Sequence, residues 1–330
     1  MNIEEIISNY LKSGEAKTPQ LSALTHQLLE FWATTKDFEI DNKLLQELVF
    51  KYAAAEKKLK TLNKELTWRQ ERIEEDLAAA ADIQRSLLPQ KMDSIDHLAV
   101  AWKFKPCDKI GGDIFNMSQL DDNHWGIYML DVSGHGVPAA MVAVSVFQNL
   151  HPQTGRILMK SGDTAGARAI RNPARVIEKL DLEYTFDRFN NFFTINYVVL
   201  NAATGAFTCC SAGHPPPIII RQNGSLDVMS SGSPPIGTRD LRLVDEFIEF
   251  PEEEMKLKPG DKLLLYTDGV FEYQNQQGDF YGNEQFHRKL IELKERSVSA
   301  LDDQQFQALM EFGNGVAPKD DISLLGIEYR

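Results

Sequence analysis

Four aspartates in this chain share an unusual setting. Asp113 in KIGGDIF, Asp131 in MLDVSGHG, Asp268 in LLLYTDGV and Asp320 in PKDDISLLG each begin or end an apolar run beside glycine or a second aspartate. A carboxylate at the end of a buried strand costs roughly several kcal/mol of lost hydration unless a partner neutralises it. The sequence around Asp131 offers no Lys or Arg for that role, so a metal ion is the natural partner. Hard divalent cations take carboxylate oxygens, and strand ends flanked by glycine fix those oxygens while leaving room for water. With no His or Cys ligand set beside them, four acids favour magnesium or manganese over zinc. Taken singly, a DG pair is a turn and a DD pair a solvated loop. The four together point to metal-assisted chemistry.

The elements that must position these acids are short strands. From about Leu98 the chain alternates apolar residues with turn glycines: LAVAWKF, HWGIYML, FFTINYVVL, GAFTCCS, PPIIIR, DKLLLYT and DISLLGIEY. At least two helices lie between them. One begins near Pro138 and is apolar on nearly every face (AAMVAVSVF); the other, PARVIEKLDLEYTF, begins near Pro173 and is amphipathic. Strands that follow one another through tight turns, with helices grouped apart, predict an α+β fold of antiparallel sheets covered by helices. Residues 152–172, rich in Gly and short polar residues, read as a mobile loop.

Residues 1–90 differ in texture, with Gly14 as their one glycine and no strand pattern. Leu45, Tyr52, Leu59, Leu66, Ile73, Ala80 and Leu87 recur at every seventh residue, with Leu48, Ala55, Leu62 and Ile83 at the companion d positions. A coiled coil fits the repeat, and so does a single amphipathic helix lying on its own domain. Arg69 and Asp76 occupy two d positions that a uniform zipper would not give to charge. The expected organisation is a helical regulatory region over 1–44, a coiled-coil linker helix over 45–90, and a catalytic domain over 91–330.

Composition excludes several classes. A net charge of −13 and the lack of Lys/Arg runs interleaved with aromatics argue against nucleic-acid binding. No stretch has the ~20 apolar residues a membrane span needs, and the N-terminus is acidic where a signal peptide is basic, so the expected address is cytoplasmic. Cys107, Cys209 and Cys210 form neither a disulfide framework nor a CxxC zinc site.

A set of motifs adds to this reading: DIQRSLLP at 82–89, IGGDIF at 110–115, DVSGHGVPAAM at 131–141, SAGHPPP at 211–217, PPIGT at 234–238, LKPGDKLLLYTDGVFE at 257–272 and DDIS at 320–323. In these the chain, from about Asp82 to Arg330, resembles the metal-dependent protein phosphatases of the 2C-like (PPM) fold, in the bacterial RsbU/SpoIIE-type branch. The resemblance implies a sandwich of two antiparallel β-sheets flanked by helices, with a centre of two divalent cations (Mn2+ or Mg2+) at one edge. Asp131 would bridge both ions. The Val132 carbonyl and Asp113 would serve the second, and Asp268 and Asp320 would hold the first. Asp321 would orient its neighbour from behind. Relatives often carry a further Asp where this chain has Asn116, which brings no charge to a cation.

The implied reaction is hydrolysis of a phosphoserine or phosphothreonine ester by in-line attack of metal-activated water. Neither a CxxxxxR loop nor a histidine-pair motif is present to form a phosphoenzyme. His135 could protonate the leaving oxygen or simply satisfy backbone groups between two glycines; His214 reads as the pin of a turn. The branch further implies a phosphorylated STAS-type anti-sigma-factor antagonist as substrate; an N-terminal region without the strand pattern of a small-ligand sensor points to an upstream regulatory protein, and the heptad to a homodimer. Two rivals stand beside this reading. One is a metal-poor scaffold that binds a phosphoprotein without hydrolysing it, with Asn116 in its favour; the other is a phosphatase for small molecules.

Overall fold

The computed structural model describes residues 42–89, 95–161, 168–230, 232–239 and 248–330. The expected regulatory region over 1–44 therefore lies almost wholly outside the described residues. The chain divides into two compact units, Met1–Glu74 and Glu75–Arg330. The second unit begins at Glu75, ahead of the expected boundary at 91, because the last turns of the long helix pack into it. Among these, Ala81 joins Ile110 and Ala140 in a small apolar cluster, and Leu88 enters the main core.

One helix, α1 (Asn42–Leu87), covers residues 45–87 of the expected 45–90 linker. In the first unit its heptad residues Tyr52, Leu59, Leu66 and Ile73 are all more than half exposed. Ion pairs at four-residue spacing, Glu47 with Lys51 and Glu65 with Arg69, support the helix from its surface.

The second unit is a sandwich. One sheet has the order β1 (Leu98–Lys105), β12 (Ile322–Tyr329), β11 (Lys262–Tyr266), β8 (Ile218–Ile220), β9 (Leu226–Val228). The other has the order β10 (Glu252–Lys256), β7 (Ala206–Ala212), β6 (Phe193–Asn201), β3 (His124–Val132), β2 (Ile114–Gln119). Every pairing within them is antiparallel.

Period-two alternation assigns the faces. Leu263, Leu265, Leu325 and Ile327 point into the core between the sheets, while Leu264, Tyr266, Ile322 and Leu324 point outward under two helices, α5 (Asn283–Glu292) and α6 (Val298–Gly313). Strand β3 is apolar on both faces because α2 (Val137–Asn149) packs behind it. Helix α3 (Pro173–Glu183) covers β6 and β7 with Val176, Ile177 and Leu180. A short helix, α4 (Phe186–Phe189), leads into β6.

Some details depart from the sequence expectation. The segment expected as a mobile loop over 152–172 contains a short antiparallel ladder of β4 (Met159–Ser161) with β5 (Arg168–Ile170), residues 162–167 lying outside the described residues. Its backbone groups are satisfied by each other, which polar composition alone does not reveal. Strands β2, β9 and β10, short or charged, and helices α5 and α6 complete the layers without having been expected. Among the described residues no helix is long and apolar enough to cross a membrane.

Candidate functional site

The four aspartates come from neighbouring strands of both sheets at one end of the sandwich. Asp113 immediately precedes β2 and Asp131 is the penultimate residue of β3; the register Ile114 to Leu130 sets the two opposite each other. Asp268 opens a 3-10 turn just after β11, and Asp320 and Asp321 lead into β12, its neighbour. Residues more than 200 positions apart thereby share one edge, where Asp321 Oδ2 accepts the Asp113 N–H at 3.2 Å.

Asp113 is buried, and its two oxygens differ. Oδ2 accepts hydrogen bonds from Thr267 Oγ1 at 2.9 Å and Ser323 Oγ at 2.5 Å, whereas Oδ1 has no partner. Oδ1 of Asp268 is likewise buried and unpartnered. Such orphaned oxygens are costly in a folded protein and mark places where a further group belongs.

The electrostatics agree. Burial, then Asp131 and Asp321, hold the Asp113 carboxyl well above the usual range. Burial followed by repulsion from Asp268, Asp320 and Asp321 pushes Asp131 up to about 8. Asp268 is raised by burial and by Glu272, and Asp320 by lost solvent, then Asp268 and Asp321; His135 opposes that rise at Asp320. Neither Lys nor Arg figures among the neighbours that set these values. Carboxyls held together without a cation keep protons instead.

Among the described residues no three Asp, Glu, His or Cys side chains already stand in a common ligating geometry. The donor set nonetheless fits hard divalent cations: acids only, two of them with an oxygen left open, from strand ends that hold their backbones in place.

Asp321 has a supporting position. Its Oδ1 accepts the Cys107 N–H at 2.8 Å and its Oδ2 the Asp113 N–H, so the carboxylate fastens the whole 107–113 loop. Gly111 is required there, because a side chain would collide with that carboxylate. At Gly112 a Cβ would lie 2.7 Å from the Val132 carbonyl oxygen, which places that carbonyl against the loop carrying Asp113.

Other candidates fall elsewhere. Asn116 is turned to the long helix: its Nδ2 donates to the Leu87 carbonyl at 3.3 Å and its Oδ1 accepts the Met117 N–H at 2.7 Å. With both amide atoms engaged there, Asn116 no longer favours the scaffold reading. His135 is exposed between two glycines. His214 is buried, meets Thr194 Oγ1 through Nδ1 at 2.7 Å, and is pushed down to about 3 by burial, so it is a neutral structural histidine.

Thr267, Ser323 and Gln84 escaped the sequence reading. A hydroxyl carries no signal until its carboxylate partner is known, and Gln84 lies in a motif read only for its apolar residues. A glutamine buried among them is the signal that was available.

The model of the family described as Stage II sporulation protein E (SpoIIE) matches residues 121–330, more than half of the chain. The chain belongs to the SpoIIE family. The SpoIIE match includes Asp131, Asp268 and Asp320, while Asp113 lies just ahead of it. The chain is similar to the phosphoserine phosphatase RsbP of Bacillus subtilis, with 28% identity over 202 residues, 60% of this chain and 45% of RsbP. It is also similar to the phosphoserine phosphatase RsbU of the same organism, with 25% identity over 279 residues, 83% of this chain and 72% of RsbU. It thus spans less than half the length of RsbP. Among solved structures, the SiaA-PP2C domain of Pseudomonas aeruginosa superposes with a TM-score of 0.64 at 20% identity, covering 79% of this chain and 98% of that domain. The SpoIIE-family chain therefore has the PP2C phosphatase fold, as its two antiparallel sheets and flanking helices require.

Proposed function

We propose that the chain is a divalent-metal-dependent phosphoserine/phosphothreonine protein phosphatase. The observation that carries this reading is the pair of unpartnered, buried Oδ1 atoms on Asp113 and Asp268 within an all-acid cluster drawn from both sheets. Membership of the SpoIIE family and likeness to two phosphoserine phosphatases support it. In the arrangement the sequence resemblance implies, Asp113, Asp131, Asp268, Asp320 and the Val132 carbonyl would hold two cations, Mn2+ or Mg2+. Bound cations of this kind supply Lewis acidity and activate water for in-line attack at phosphorus.

The chain's own residues prepare that site. Thr267 and Ser323 occupy Oδ2 of Asp113, which leaves Oδ1 for a ligand. Asp321 holds the loop that presents Asp113. Asp131 gives up its proton near pH 8 in the free protein, so a cation must displace a proton there.

The substrate in this reading is a phosphorylated STAS-type anti-sigma-factor antagonist of a partner-switching pathway in the cytoplasm, opposed by a kinase. An upstream regulatory protein engages residues 1–44, and the chain dimerises through the exposed heptad face of α1. Phosphate release from a phosphorylated STAS protein, a phosphopeptide and p-nitrophenyl phosphate, each with Mn2+, Mg2+ or chelator, tests the proposal. Release that survives exhaustive chelation would overturn it, and release from p-nitrophenyl phosphate alone would move it to small-molecule hydrolysis.

A further inference from the structure

The exit of β3 is held by side chains in place of one ladder bond. Ser133 N–H donates to the Phe192 carbonyl at 2.9 Å, as an antiparallel ladder requires, but the return bond is exchanged for side chains. Phe192 N–H donates to Ser133 Oγ at 3.1 Å, and the Ser133 carbonyl accepts from Asn191 Nδ2 at 2.7 Å.

Peptide planarity converts these bonds into directions. Because Ser133 N–H points at β6, the Val132 carbonyl in the same peptide points the opposite way, toward Gly112, where it is found. Because the Ser133 carbonyl points at the Asn191 side chain, the Gly134 N–H in the next peptide points the opposite way. Gly134 has φ 86°, a left-handed conformation that favours glycine, and a Cβ there would meet nothing within 4 Å. Gly134 is exposed, so its backbone is open to a ligand.

The backbone on either side of Asn191 is fastened by hydrogen bonds. Asn190 adopts a left-handed conformation with its N–H on the Phe186 carbonyl at 2.7 Å. Phe193 exchanges two backbone bonds with Ile236, and the adjoining Gly237 N–H donates to buried Asp181 at 3.3 Å. Two bonds from the Arg239 guanidinium to Asp181 secure that support.

We infer that Asn191 is a positioning residue that holds the Ser133–Gly134 peptide so that the Gly134 N–H receives a phosphoryl oxygen of the substrate beside the acid cluster. A preset backbone donor is effective there because it needs no reorganisation when the phosphoryl group arrives. The inference rests on the phosphatase reading and deepens it.

The test compares wild type with Asn191→Asp, which keeps the shape but cannot donate to a carbonyl, and with Asn191→Ala. KM and kcat for p-nitrophenyl phosphate, the inhibition constant of inorganic phosphate, the melting temperature, and Mn2+ binding by calorimetry are measured for each. Both variants should raise KM and the phosphate inhibition constant about tenfold and in parallel, with Mn2+ binding changed less than threefold. Unchanged phosphate inhibition in a folded variant would overturn the inference. So would a loss of activity that tracks only a lower melting temperature, and if Asn191→Asp fails to fold, Asn191→Ala decides alone. A wild type that releases no phosphate strikes the phosphatase reading instead.

Discussion

Gln84 engages both backbone groups of Gly111: its Nε2 donates to the Gly111 carbonyl at 2.8 Å, and its Oε1 accepts the Gly111 N–H at 3.2 Å. Both residues are buried, and Gly111 lies two positions before Asp113. The end of α1 therefore sets the backbone that delivers an acid to the candidate metal centre. Gln84→Ala would leave two buried backbone groups unpaired, a cost of about 1–3 kcal/mol for each. The expected result is a lower melting temperature together with a several-fold higher Mn2+ requirement. Denaturation and Mn2+ titration of activity check it; a stability loss with an unchanged Mn2+ requirement would confine Gln84 to a structural role.

Asn116 provides a contrast. From sequence, Asn116→Asp would add a charge to the metal site and lower the Mn2+ requirement. In the structure the amide donates to the Leu87 carbonyl, and a carboxylate there would face that oxygen without a proton to share. Asn116→Asp is therefore expected to weaken the hold of α1 and leave Mn2+ affinity unimproved, measured by calorimetry alongside the melting temperature.

Asp131→Asn separates chemistry from stability. Turnover should vanish, because an amide brings no charge to hold cations together. The metal-free variant should nonetheless melt at least ~2 °C above metal-free wild type at pH 8, since it removes one charge from a cluster of repelling carboxylates. Its melting temperature should no longer rise with added Mn2+. Full activity on any phosphoprotein would sink the two-metal reading.

The pH dependence has a definite sign. Asp131 titrates at about 8 in the folded chain against 3.8 for an ordinary aspartate, so between those values the folded state carries the extra proton. Stability of the metal-free protein should then fall as pH rises from about 4 toward 8, with Asp113 adding in the same direction. Mn2+ binding should release protons and tighten over the same interval. Calorimetry in two buffers of different ionisation enthalpy counts those protons; Mn2+ affinity independent of pH would contradict the coupling.

Arg69 and Asp76 test the heptad. Arg69 is paired within its own helix to Glu65 at 2.6 Å, so the charge at a d position is satisfied without a partner chain. Arg69→Leu with Asp76→Leu should tighten dimerisation, read by sedimentation, and shift basal phosphatase activity without touching the acid cluster. Tighter dimers with unchanged activity would mean that the helix only dimerises, and a monomeric wild type would remove the premise.

The sequence by itself marked part of the secondary structure and the acids of the candidate site. Apolar runs bounded by turn residues marked β3, β6, β11 and β12; Pro138 and Pro173 marked two helix starts; four aspartates beside glycine or a second aspartate pointed to hard-cation chemistry, because these signals are carried by residues close together in the chain. Tertiary structure alone decided what depends on distant contacts. Asp113 and Ser323 meet across 210 positions, and no local pattern reports that pairing. Gln84 finds Gly111, Asn116 turns to Leu87, and Asn191 takes the Ser133 carbonyl for the same reason. A polar side chain shows its type in the sequence, but its role depends on which unpaired backbone group or carboxylate the packed fold places beside it.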